Sequence, residues 1–274
     1  MIKIKLVCDS SCEISPELAE LANISSVPLT MSVGDKVFVD DEKLNVDEFL
    51  DYMKDSKHAA KSGCPSPSAY ADAFESELPA FGITLSGALS GSYQSAVHGA
   101  ELAGRDSRVI DSRSASAGET LVAFKLCELA ESADTVDELE LAIKGFVDGM
   151  KTYFIIENLD NFVKNGRINP IIGRAAALLR LRMIMGADEN GLIKQFGCSR
   201  SFEGAEQRLA ELVEADRAGK SGGLAVLSHC DNEDGAKRVA AMAIEKGRFD
   251  RVIINKVRGL SSMYLNRGGV ILAF

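Results

Sequence analysis

Apolar positions in this chain follow two rhythms, a period of two and a period near 3.6, which take turns from one end to the other. Residues 2–7 alternate and then run apolar, which predicts a strand, and the polar quartet Cys8-Asp9-Ser10-Ser11 closes it. Ser15-Pro16-Glu17 reads as a helix start, with Ser15 accepting from a first-turn N–H and Pro16 where no donor is needed. Residues 25–31 look extended around Pro28, and Val33-Gly34-Asp35-Lys36-Val37 predicts a short hairpin turn. Asn45 caps a helix to about Asp55 whose apolar stripe is Val46, Phe49, Leu50 and Met53. Lys61-Ser62-Gly63-Cys64-Pro65-Ser66-Pro67 predicts a rigid turn, because proline cannot sit inside a helix, and another helix begins near Ser68. An apolar run ending at Leu85 meets the cluster LSGALSGSYQSA and a helix to about Leu102. The strand predicted over 107–110 ends in Asp111-Ser112-Arg113-Ser114-Ala115-Ser116-Ala117-Gly118 before a helix through Leu129, and Thr135 caps one more.

The texture changes from Lys151. A strand is predicted over 153–156, a turn at Asn165-Gly166-Arg167-Ile168-Asn169-Pro170 and a helix over 171–179. Residues 181–185 and 192–196 flank Asp188-Glu189-Asn190-Gly191 as a hairpin, and an antiparallel pair means mixed topology. Helices over 203–216 and 232–246 then alternate with strands over 224–228 and 252–255, and a last strand covers 270–274. The expected fold is α/β with two domains. Residues 1–150 form a parallel-sheet N-terminal domain with flanking helices and right-handed crossovers, and 151–274 a mixed-sheet α/β C-terminal domain.

At 274 residues the chain has room for a sizeable core. It holds no run of about 18 apolar residues, so stable membrane insertion is not expected. Its start goes straight into a strand pattern without a secretion signal, which predicts a cytoplasmic address. A net charge of −9 argues against nucleic acid as a partner. The six cysteines are scattered in a chain too long to need disulfides, which predicts buried free thiols and no metal site.

Three predicted strands end in serine-bearing loops: CDSS, SGALSGS and DSRSAS. In a parallel sheet such loops gather at the carboxyl ends of the strands, where ligands bind. Between Phe81 and Gln94 there is no Lys, Arg, His, Asp or Glu. Ser90, Gly91 and Ser92 at a helix start therefore offer hydroxyls and backbone N–H groups to an anion, a carboxylate or a phosphate, with no charged group for proton chemistry. An esterase or thioesterase using Ser90 is the alternative, and it needs a base within reach; His58, His98 and His229 all lie in unpromising settings. A phosphotransfer subunit would need one of them at the crevice. Ala218-Gly219-Lys220-Ser221 lacks the first glycine of a P-loop, since Glu214 stands there.

Asp9-Ser10, Val27-Pro28-Leu29, the S-G-C-P-S-P turn, L-S-G-S-Y-Q-S-A over 89–96, Asp111-Ser112 and N-G-R-I over 165–168 occur in the order and at about the spacing of the DegV family, which the chain resembles over nearly its whole length. The resemblance implies a non-catalytic fatty-acid-binding protein of two α/β domains. The C-terminal domain would help to enclose a buried acyl tail, the carboxylate would be held by serine hydroxyls and backbone N–H, and no further cofactor is implied. It also implies a separate fatty acid kinase catalytic subunit as partner. The family's T-S-Q-P-S falls on Ser62, Gly63, Cys64, Pro65 and Ser66, so Ser62 is one implied carboxylate contact, and Ser90 with Gly91 is the other. Ser10, Ser92, Ser116, Arg167 and Arg200 are implied pocket or partner contacts, Arg167 as the G-R-I arginine and Arg200 toward the kinase. The chain departs from the pattern at Gly63 and Cys64, and it has Tyr264-Leu265-Asn266-Arg267-Gly268 where the family often has H-x-G-P-G.

Overall fold

A computed structural model describes residues 2–274. Its first half runs β1 (Lys5–Asp9), α1 (Pro16–Leu21), β2 (Asn23–Val27), β3 (Thr30–Val33), β4 (Lys36–Val39), α2 (Val46–Asp55), β5 (Ala60–Gly63) and α3 (Pro67–Phe74). It continues through β6 (Ala80–Thr84), α4 (Ser92–Ala103), β7 (Ser107–Asp111), α5 (Ala117–Ser132) and α6 (Val136–Gly149). Four of these strands form a parallel sheet in the order β2-β1-β6-β7. The helix starts follow the expected chemistry: Ser15, Asn45 and Thr135 each accept a first-turn N–H at the head of α1, α2 and α6.

The stretch read as a rigid turn at 61–67 is corrected by the structure. Ala60–Gly63 is β5, paired antiparallel with β3, and β4-β3-β5 makes a small third sheet. Only the part from Cys64 behaves as the prolines dictate, with Ser66 capping α3 and Pro67 in its first turn. The pairing puts Ser62 opposite Met31, so its side chain is set by a strand rather than by a loop.

The second half runs β8 (Thr152–Ile156), α7 (Asp160–Lys164), α8 (Pro170–Leu179), β9 (Arg182–Ala187), β10 (Ile193–Ser199) and α9 (Phe202–Asp216). It ends with β11 (Leu224–His229), α10 (Glu233–Gly247), β12 (Arg251–Lys256), α11 (Gly259–Leu265) and β13 (Val270–Ala273). Six strands form one mixed sheet, β10-β9-β8-β13-β11-β12, in which β11 and β12 run parallel and every other neighbouring pair is antiparallel. The expected hairpin over 181–196 is present as β9 and β10. Helix α11 had no counterpart in the pattern reading, since GLSSMYL opens on glycine and carries no side-chain cap.

The two sheets are joined by α5. In its sequence AGETLVAFKLCELAES the first two turns carry only Glu119 and Thr120 as polar side chains, and every residue from Ala117 to Phe124 is buried. The helix packs on β6 of the parallel sheet and on β11 and β13 of the mixed sheet. One apolar cluster accordingly runs from Leu6 and Ile83 through Leu121 and Phe124 to Phe154 and Ile271. Among the described residues no helix is long and apolar enough to cross a membrane.

Candidate functional site

Where the carboxyl ends of β1, β6 and β7 face β8, β9 and β13, a cavity of about 850 Å³, mouth included, opens between the two sheets. One wall is made by loops, with Ser11, Leu85, Leu89, Ser90 and residues 113–116; the other is made by the faces of Phe154, Ile193 and Ile271 and by Leu260 and Leu265 of α11. Phe154 and Ile271 are register partners on adjacent strands, so the mixed sheet presents an apolar face there.

At one end of the cavity polar groups converge. Ser62 Oγ lies 3.1 Å from Tyr264 Oη. Ser90 Oγ accepts the Ser92 N–H at 3.1 Å, which leaves its own proton for another acceptor. Gly91, exposed, is the N-cap of α4 and has no side chain to cap it, so apart from the Ser92 N–H taken by Ser90 the start of that helix keeps its anion-favouring N–H groups. Arg167 lines the same end; its Nε donates to the Leu89 carbonyl at 3.0 Å and its Nη1 to the Asn165 carbonyl at 2.6 Å. The pattern reading expected an uncharged cradle. The structure corrects this by swinging a guanidinium from the α7–α8 turn over the serine loop, which lowers the desolvation penalty of a bound anion.

Behind the loops lie carboxyl groups. Asp9 accepts the Ser11 N–H and the Leu85 N–H, both at 3.0 Å, and the Ser92 hydroxyl at 2.7 Å, so one side chain ties the ends of β1 and β6 to the start of α4. Glu13 accepts the Ser116 hydroxyl at 2.9 Å and the Ser228 hydroxyl at 3.0 Å. Burial pushes its pKa up to about 7, against the opposing pull of those hydroxyls. Burial likewise raises Asp9, Asp40 and Glu119, the last well above the usual carboxylate range. The remaining loop hydroxyls are also committed: Ser114 Oγ lies 2.7 Å from Thr152 Oγ1, and Ser11 Oγ accepts the Ser116 N–H at 3.1 Å.

Ser62, Ser90, Ser116 and Arg167 all line the cavity. Four expected contacts do not, Gly91 among them, since it is exposed at the head of α4 beside the lining residue Ser90. Ser10 is turned away, donating to Asp40 at 3.0 Å and accepting the Leu29 N–H at 3.0 Å. Ser92 is buried between Asp9 and Tyr70, whose Oη is 2.6 Å away. Arg200 is exposed in the turn between β10 and α9 and is not part of the cavity lining. The physical reason is shared by the two serines: a strand or helix terminus alternates its side chains between ligand and core, and the core position was satisfied first by a carboxylate.

Tyr264 was missed by sequence reasoning, although it stands at the histidine position of the H-x-G-P-G pattern. Its ring meets Phe162 at 4.8 Å, tilted by 40°, and Phe162 stacks on Phe154 at 5.6 Å, so an aromatic floor underlies the polar end. No histidine lines the cavity: His58 and His98 are exposed, and His229 Nδ1 accepts the Asn232 N–H at 3.2 Å. Among the described residues no group of three or more His, Cys, Asp or Glu side chains is placed to hold a metal ion.

Comparison with known proteins gives concordant matches. A family model described as "Uncharacterised protein, DegV family" matches residues 3–272. A DegV domain-containing protein of Streptococcus gordonii is 32% identical over 278 residues, covering 98% of each chain. A DegV-family crystal structure from Ruminococcus gnavus, refined with vaccenic acid, is 31% identical with a TM-score of 0.92, covering 100% of this chain and 99% of its own. The Fatty Acid Kinase (Fak) B3 protein of Streptococcus pneumoniae, solved loaded with linoleic acid, is 32% identical with a TM-score of 0.91 and the same coverage. With the whole length matched in sequence and in fold, this chain belongs to the DegV family.

Proposed function

We propose that the protein binds a long-chain fatty acid, with the carboxylate at the Ser62, Ser90, Tyr264 and Arg167 end and the tail along the apolar face of β8, β10 and β13. The observation that carries this reading is one cavity between the two sheets with hydrogen-bond donors at one end and hydrocarbon along its length. The fatty acids in the related Ruminococcus gnavus and Streptococcus pneumoniae structures support it. The Gly91 end of α4 adds backbone donors. Under this reading residues 1–150 supply the serine-bearing loops of the carboxylate end, and 151–274 add Arg167 and Tyr264 there and enclose the tail.

Burial of about 12 methylenes at roughly 0.8 kcal/mol each stabilises the complex by about 10 kcal/mol before the losses of association. A hydrogen bond to the carboxylate adds only about 1.5 to 3 kcal/mol. The tail therefore supplies affinity and the polar end supplies orientation. We read the chain as a carrier without catalysis of its own, which presents the acid to a separate ATP-dependent kinase subunit. The Streptococcus pneumoniae protein, named as part of a fatty acid kinase, supports this role.

Denaturing extraction of the purified protein followed by mass spectrometry should release fatty acid. A protein that stays empty when offered oleate and palmitate overturns the reading. A fluorophosphonate probe should leave Ser90 unlabelled, since no base approaches it; a covalent adduct would favour an esterase instead.

A further inference from the structure

The geometry points to Arg113 as the residue that closes the far end of the cavity and so sets the longest acyl chain the protein accepts, an inference that rests on the fatty-acid reading above. The direction of the cavity is set by β8. Phe154 stacks over Phe162 beside Tyr264 at the polar end. Thr152, two residues earlier on the same face of the strand and about 7 Å away, also lines the cavity. There the neighbours are Gly186 and Ala187 of β9, Ile193 of β10, and Arg113.

On the outer side of the same three residues, Arg113, Thr152 and Ala187, lies a separate surface depression that also borders Asp148, Glu189 and Lys194. Inner and outer space are thus divided by one thin partition. Thr152 is held in the sheet and to Ser114, and Ala187 ends a strand, so the long side chain in the partition is that of Arg113.

That side chain is latched at both ends. Its Nη1 donates to Asp148 Oδ1 of α6 at 2.8 Å and to the Glu189 carbonyl at 3.3 Å. Its own N–H donates to Asp111 Oδ1 at 2.8 Å. The 188–191 turn that it grips is pinned in turn, because Ser86 Oγ donates to the Gly191 carbonyl at 2.9 Å. The fit is close: a Cβ on Gly191, whose φ is +77°, would sit 2.9 Å from Arg113 Cα. Arg113 itself has φ +49°, a conformation in which glycine is at ease and a long side chain is strained. Strain held at this position, with a guanidinium in water and its stem across an apolar end, marks a side chain that is used.

The test uses two variants of the full chain. Arg113→Gly removes the stem and suits the backbone, and Asp148→Ala frees the guanidinium from an exposed helix without touching the cavity lining. Wild type and both variants are offered an equimolar mixture of palmitate, stearate, arachidate and behenate, and the bound acids are extracted and quantified by mass spectrometry. Affinity rises about fourfold for each methylene newly buried, so the behenate-to-palmitate ratio bound by Arg113→Gly should rise by on the order of tenfold or more over wild type. Asp148→Ala should shift the same way by less. A loaded wild type with an unchanged profile in Arg113→Gly overturns this inference alone. If that variant does not fold, Asp148→Ala decides, an upward shift supporting the inference and an unchanged profile overturning it. A wild type that takes up none of the four acids overturns the fatty-acid reading and this inference together.

Discussion

The two walls of the cavity are built by opposite means. The parallel sheet contributes loops, whose hydroxyls are turned largely onto one another and onto buried carboxyl groups, as in Ser116 to Glu13 and Ser92 to Asp9. The mixed sheet contributes strand faces, where Phe154 and Ile271 lie side by side with no polar atom to satisfy. A wall of serines is thus less polar toward its ligand than its sequence suggests, because buried polar groups pair among themselves first. The polar side chains that line the cavity without being paired to a buried carboxyl group include Ser62, Ser90, Tyr264, Arg167 and Ser261, whose hydroxyl has no partner in the protein.

If the strand wall supplies affinity, crowding it should do the most harm. Ile193→Trp, which fills room for about two methylenes, should weaken long-chain binding by about 1.6 kcal/mol, about fifteenfold, in displacement of a fluorescent fatty acid.

The loop wall should instead answer to pH. The fold holds the Glu13 carboxyl at about 7 against its ordinary 4.5, so it favours the protonated form. Its contribution to stability is fully present below about 4.5 and is lost as pH rises through about 7, an effect on the order of 3 kcal/mol. Urea unfolding across that window should show wild type losing more stability than Glu13→Gln by about this amount. Equal pH slopes in the two proteins would mean that Glu13 does not titrate in the loop wall.

Smaller effects belong to the polar end. Ser62→Ala and Ser90→Ala should each weaken binding by about 1.5 kcal/mol, about tenfold, and should loosen the carboxylate more than the tail in a liganded crystal structure. Tyr264→Phe should weaken it by about 1 kcal/mol, since it removes one neutral partner of Ser62. Arg200→Ala should leave fatty-acid binding unchanged in the same assay. A fall in acyl-phosphate production with an added kinase subunit would then assign Arg200 to the encounter with that partner.

Much of the fold was legible because local signals agreed with it. Ser15-Pro16, Asn45 and Thr135 start helices where capping chemistry says they should, and the Asp188-Glu189-Asn190-Gly191 turn joins an antiparallel pair. Where pairing partners are far apart in the chain, legibility failed. The strand at Ala60–Gly63 exists because Thr30–Val33 lies beside it, and prolines two and four residues later masked it. At the site, Ser62 and Ser90 could be singled out from their motifs, but Ser10 and Ser92 have the same chemistry in the same loops and point into the core. Nothing local separates the two cases, because the carboxyl groups that capture Ser10 and Ser92 come from residues 40 and 9.

The sequence by itself determined the α/β order, the placing of serine loops at strand ends and the family to which the chain belongs, since strand periodicity, caps and motif strings are all written within a few residues of one another. Only the tertiary structure decided which hydroxyls remain available, that Arg167 reaches over the Leu89 carbonyl, that Tyr264 stands 3.1 Å from Ser62, and that Arg113 lines the cavity beside Thr152. These are meetings of residues up to 202 positions apart, brought about by α5 being buried between two sheets. Local pattern states what each segment prefers, and the packing of one shared core states whom it meets.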